Sequence, residues 1–173
     1  MLPALNATHL FAALLAMAGL WAIRFEREGN AVPLWRFFLP ALAILLCSLA
    51  LLGGLSSRGR GILLVALILG VPSGSVRGLW LLMRADHASK LVRLSRVRDG
   101  VWVAFAAVVF AMIDVGVTFR VAEGAAPSPL FAAAVALCAG YLSGRAIVIA
   151  SRSRSAQHRD MGSRRDGSRR DPA

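Results

Sequence analysis

Three charged residues, Arg77, Arg145 and Asp114, sit inside long apolar runs of this chain. Charge in such surroundings is expensive, so each is a candidate for function. A guanidinium is a planar donor fork suited to phosphate and carboxylate. Arg77 and Arg145 together suggest a basic pocket for a lipid headgroup or an anionic substrate, or else two side chains that snorkel to the headgroups. Asp114 is the one carboxylate well inside an apolar run. It suits a proton-linked role, or it is protonated and hydrogen-bonded. Around these charges run two ladders of small residues. Gly70, Gly74 and Gly78 repeat every four residues, as do Ala132, Ala136, Gly140 and Gly144. Such spacing puts them on one helix face, where backbones can approach closely. That face serves either packing within one chain or a homodimer contact.

The rest of the chemistry is sparse. There is no Gly-x-Ser-x-Gly, His-Glu-x-x-His, phosphate loop or Cys-x-x-Cys, so no enzyme class is indicated. His9, His87 and His158 are too scattered for a metal site, and no cofactor is expected. Cys47 and Cys138 lie in apolar runs and act as small packing residues.

The elements that must position Arg77, Arg145 and Asp114 follow from composition. Hydrophobic residues make up 57% of the 173 and charged residues only 17%, far from the balance of a soluble domain. Crossing a bilayer takes about 20 apolar residues in a helix. Five segments meet that length, at about 5–23, 34–55, 62–83, 101–119 and 130–150. The expected fold is an all-α membrane protein, a five-transmembrane-helix bundle over 1–150. Pro72 can kink the third helix and free the carbonyl near Ile68. At a helical rise of about 1.5 Å per residue, Arg77 and Arg145 lie about 9 and 8 Å from their segment ends, at matching depth. Asp114 lies about 20 Å in, level with Ser48.

Seventeen of the twenty lysines and arginines fall on one side of such a bundle and three on the other. Positive residues stay cytoplasmic, so the N-terminus faces out and the C-terminus in. Trp21, Trp35, Trp80 and Trp102 lie near the cytoplasmic ends of their segments, where amphipathic rings favour the interface. Residues 1–9 carry no Lys or Arg, which argues against a cleavable signal peptide. The net charge of +11, clustered between apolar runs, points to anionic lipid headgroups as partners and not to nucleic acid. The basic loop 85–100 fits either a hairpin turning at Asp86–Lys90 or an amphipathic helix carrying Leu91, Leu94 and Val97. The arginine-rich tail 151–173 is expected to be disordered.

Three further pieces carry a resemblance: Leu-Leu-Met-Arg-Ala-Asp-His-Ala-Ser-Lys-Leu-Val-Arg-Leu from Leu81, Gly100 with Trp102, and Gly140-Tyr141-Leu142-Ser143-Gly144-Arg145. Together they resemble a family of small bacterial inner-membrane proteins that forms a domain of unknown function. The resemblance covers the chain up to Arg152. It implies a multi-pass, five-helix protein of the bacterial inner (plasma) membrane without assigned activity. That family tends to carry a basic or aromatic residue where this chain has Asp114. The expectation is therefore a non-catalytic module that binds lipid or a partner, as a homo-oligomer or with another membrane protein. A small proton-coupled transporter using Asp114 is the alternative.

Overall fold

A computed structural model describes residues 7–24, 26, 31–52, 55–86, 91–94, 98–120 and 129–155. Among them are five α-helices: α1 (Ala7–Ile23), α2 (Phe38–Leu52), α3 (Ser57–Trp80), α4 (Asp99–Arg120) and α5 (Pro129–Ser155). A 3₁₀ turn over Leu34–Phe37 leads into α2. Pro40 sits in the first turn of α2, where its missing N–H removes no intrahelical bond.

Local chemistry explains where the observed helices depart from the expected segments. Helix α3 starts at Ser57, earlier than 62, because the Ser56 hydroxyl accepts a bond from the Gly59 amide at 3.3 Å and caps the helix. It stops at Trp80, short of 83, because Met83–Asp86 is a strand. Helix α5 runs to Ser155, so the expected disorder from Ser151 is corrected there; residues 156–173 lie outside the described set. Four stretches, Leu34–Leu52, Ser57–Trp80, Asp99–Val117 and Pro129–Arg154, are long and apolar enough to cross a membrane. The first helix is shorter: its 17 residues span about 25 Å, against about 30 Å of hydrocarbon.

The chain is all-helical as expected, and its connections add a small sheet. Strands β1 (Val32–Pro33), β2 (Met83–Asp86) and β3 (Leu91–Leu94) pair antiparallel in the order β1-β3-β2. Met83 faces Leu94 and Asp86 faces Leu91, so the loop is a hairpin and not an amphipathic helix. Strand β1 comes from the α1–α2 connection and pairs Val32 with Val92. Its Pro33 is tolerated because β1 is an edge strand. Val32, Phe37, Leu81, Val92 and Leu94 form a small core with Ala146 and Ile149 of α5.

This sheet fixes the topology. The α1–α2 connection, the α3–α4 connection and the C-terminal half of α5 all meet at one end of the bundle. Helices α1, α2, α5 and α4 close a ring in that order, and α3 packs outside it against α5. Burial follows the arrangement: 67% of the apolar window of α5 is buried and only 22% of that of α3. The ring interior is built from small side chains such as Ala12, Ala16, Ala107, Ala111, Ala136 and Ala139, around Ile44 and Val135. Small residues let apolar helices approach until dispersion contacts accumulate.

Candidate functional site

The glycine ladders fasten α3 to α5. A Cβ on Gly70 would overlap the Leu137 carbonyl, and one on Gly74 would overlap that of Tyr141. Reciprocally, a Cβ on Gly140 would meet the Leu67 carbonyl and one on Gly144 the Val71 carbonyl. A Cβ on Gly78 would lie 3.0 Å from Val148 Cβ. The small faces therefore interlock within a single chain. Ser73 donates to the Gly70 carbonyl at 2.7 Å beside Pro72.

That close approach carries Arg77 and Arg145 to the same end of the bundle, as their matched depth implied. Each meets a carboxylate there. Arg145 Nη1 donates to Glu26 Oε1 at 2.7 Å, and the two side chains are 3% and 2% exposed. Arg77 Nε donates to Asp99 Oδ2 at 2.8 Å, with the arginine 45% exposed and the aspartate 19%. Arg145 Nη2 lies 3.7 Å from Asp99 Oδ1, and Tyr141 Oη donates to Asp99 Oδ2 at 3.1 Å. The expected basic pocket is thus a row of alternating charge, Glu26, Arg145, Asp99 and Arg77, running from the interior to the surface. Two carboxylates neutralise two guanidiniums.

Local structure explains the convergence. Asp99 is the first residue of α4, so its carboxylate sits at the positive end of the helix dipole. Gly100 follows, and a Cβ there would fall 2.5 Å from Arg145 Nη1 and 2.6 Å from Glu26 Oε2. Glycine at 100 makes room for the buried pair against the backbone of α4. Burial pushes the Glu26 carboxyl above its usual range, against the opposing pull of Arg145. Glu26 Oε2, Asp99 Oδ1, and Arg145 Nε and Nη2 are buried without a hydrogen-bond partner among the described residues.

A second arginine ties the same end together. Arg152 Nη1 donates to the carbonyls of Gly78, Leu79 and Leu81, at 3.0, 2.7 and 3.0 Å. These belong to the last turn of α3 and the residue just beyond it, where carbonyls lack intrahelical partners.

Asp114 lies apart from this cluster. It is 5% exposed within α4 and close enough to Cys47 of α2 to interact electrostatically. Ser48, also fully buried, turns its hydroxyl back to the Leu45 carbonyl at 2.8 Å. Cys47 and Cys138 are free thiols. His87 and His158 lie outside the described residues, as does the His9 side chain. Among the described residues no group of His, Cys, Asp and Glu could hold a metal ion.

Sequence reasoning missed Glu26, Asp99, Gly100, Tyr141 and Arg152 as members of the site. Glu26 reads as one charge in a polar loop, and Asp99 as the end of another. The available signal was numerical: two arginines entering an apolar bundle need carboxylates, and Glu26 and Asp99 flank helices on the right side.

Among the described residues, fold and site define a helical bundle with four helices long and apolar enough to cross a membrane and a buried ionic cluster at one end. Comparison with protein-family models, curated proteins and solved structures gives no match.

Proposed function

We propose that this chain is a non-catalytic, multi-pass module of the bacterial inner membrane that binds anionic lipid headgroups at its cytoplasmic end. In this reading α1 also crosses, giving five spans with the N-terminus out and the C-terminus in. One observation carries the proposal. Trp21, Trp35, Trp80 and Trp102 are all more than half exposed, and all lie at the end that holds the ionic cluster. Exposed Arg24, Arg36, Arg98 and Arg154 flank the same helix ends. Arg36 stacks over the Trp35 ring at 5.9 Å. Exposed indoles and arginines together suit the headgroup layer of an anionic leaflet.

The test is lipid selectivity. The full chain is reconstituted into nanodiscs holding equal phosphatidylglycerol and phosphatidylcholine, and the lipids retained after detergent exchange are weighed by native mass spectrometry. Enrichment of phosphatidylglycerol is expected, and equal retention of the two lipids refutes the reading. A C-terminal reporter active only in the cytoplasm checks orientation; a silent fusion reverses it.

A second reading has its own observation. Asp114 is buried in the ring beside Cys47, where a carboxylate can serve proton-coupled transport. Under that reading Asp114→Asn abolishes a proton-linked flux in vesicles while the fold survives, and an unchanged flux removes it.

A further inference from the structure

We propose that Arg77 is the phosphate-binding residue of a phospholipid subsite on the outer face of α3, and that Asp99 and Tyr141 hold its guanidinium in binding geometry. The proposal rests on the lipid-binding reading above and assigns it a place. The two arginines singled out by the sequence have different fates. Arg145 is 3% exposed and faces Glu26 and Asp99, so no headgroup reaches it. Arg77 is 45% exposed and engages Asp99 through Nε.

That single bond distinguishes Arg77 from a snorkelling arginine. A snorkelling side chain is free to reorient, whereas here one edge of the guanidinium is tied down. Its partner is itself fixed: Asp99 starts α4, accepts from Tyr141 at 3.1 Å and faces Arg145. With Nε engaged, Nη1 and Nη2 form the edge pointing away from Asp99, and they donate to no other described residue. A guanidinium edge with two parallel N–H groups matches two oxygens of a phosphodiester. Arg98 immediately precedes Asp99 and is exposed, which adds positive charge beside the fork.

The surroundings favour a lipid over a free ion. Helix α3 lies outside the ring, and its outer side is apolar. Ile62 and Leu69 are exposed on the flank of α3 that carries Ser73 and Arg77, beside the wider exposed face of Val65, Ile68 and Val76. Trp80, one turn beyond, is 77% exposed. An acyl chain lying on this stripe brings its phosphate to the depth of the fork. Residues 62, 66, 69, 73, 77 and 80 recur at helical spacing, so the stripe and the fork share one face.

Three probes test this on the full chain in detergent, read by native mass spectrometry: phosphatidylglycerol, diacylglycerol lacking a phosphate, and inorganic phosphate lacking tails. The wild type is expected to retain phosphatidylglycerol and neither of the others. Arg77→Lys keeps the charge but loses the fork, so retention drops about tenfold, the loss expected for one charge-assisted bidentate contact. Tyr141→Phe loosens Asp99 and lowers retention by a smaller factor. Arg58→Gln, exposed at the opposite end of α3, leaves retention unchanged. If Arg77→Lys fails to fold, judged by its melting curve, Tyr141→Phe decides alone. Retention by Arg77→Lys or by Tyr141→Phe equal to wild type overturns the subsite while leaving lipid selectivity intact. Equal uptake of inorganic phosphate overturns the lipid assignment. A wild type that retains no phosphatidylglycerol overturns both the subsite and the broader reading.

Discussion

Arg145 Nη1 lies 2.7 Å from Glu26 Oε1 across 119 residues of sequence, and both side chains are almost wholly buried. The contact joins α5 to the connection leaving α1 and sits against Gly100 at the start of α4. Removing one partner strands the other charge away from water. Glu26→Ala or Arg145→Ala should each cost about 3–5 kcal/mol, seen as a lower melting temperature in detergent. Replacing both at once, as Glu26→Leu with Arg145→Met, should restore most of that loss, because the two almost wholly buried charges leave together and Asp99 keeps Arg77 as its partner. A double variant as unstable as the sum of the single changes would show that the two residues are not coupled.

The glycine ladder makes a contrast inside a single helix. Gly74→Ala puts a methyl group into the Tyr141 carbonyl and should destabilise by about 1–3 kcal/mol, since backbone cannot move aside as a side chain can. Gly61→Ala, also in α3, meets nothing within 4 Å and should be neutral or slightly stabilising through helix propensity. Thermal melts of the two variants side by side check the docking of α3 on α5. Equal stability would contradict it.

Gly100→Ala probes the same principle at the ionic cluster. Its methyl group would press on Arg145 Nη1 and Glu26 Oε2. Side chains yield more easily than backbone, so the loss should be smaller than that of Gly74→Ala. It should shrink in the background of Glu26→Leu with Arg145→Met, where the two charged groups are gone and Ile23 Cδ1, at 3.0 Å from such a methyl, remains. A loss undiminished in that background removes the ion pair as the cause and leaves Ile23.

The raised carboxyl of Glu26 sets the sign of one pH dependence. The folded chain holds that proton to a higher pH than the unfolded chain, whose value is near 4.5. Its contribution to stability is full below that value and is lost as pH rises through the folded value. Melting temperatures taken from mild acid to neutral should therefore fall more steeply for the wild type than for Glu26→Gln. The opposite order of slopes would show that the pull of Arg145 exceeds the effect of burial.

Arg152 contributes a different kind of fastening. Arg152→Ala leaves the carbonyls of Gly78, Leu79 and Leu81 without this donor and should cost about 1–3 kcal/mol. The loss should concentrate at the end of α3, so amide exchange there should speed up before the α1–α2 contact is affected. Uniform acceleration through all five helices would argue against a local role.

Much of the fold was legible in one dimension. Long apolar runs must become helices because unpaired backbone groups are costly in an apolar medium. The glycine spacing marked the close-packing faces of α3 and α5, and the helical rise put Arg77 and Arg145 at one depth. A hairpin turning at Asp86–Lys90 was one of the two forms that the loop between α3 and α4 allowed. Less legible were the boundaries. Ser56 as a cap moved the start of α3, and the sheet moved its end.

Sequence by itself determined helix type, the approximate segments, the small-residue faces and the side on which positive charge gathers. These depend on local composition and on spacing along one helix. Only the tertiary structure decided that Val32 pairs with Val92, that α3 lies outside a ring of four helices, and that Glu26 and Asp99 neutralise the arginines. Those facts depend on which distant residues meet. A carboxylate in a polar connection has the same local pattern whether it faces water or a buried guanidinium. The difference between Arg145 and Arg77 has the same origin: sequence gave them equal depth, and packing enclosed one while leaving the other half in the open.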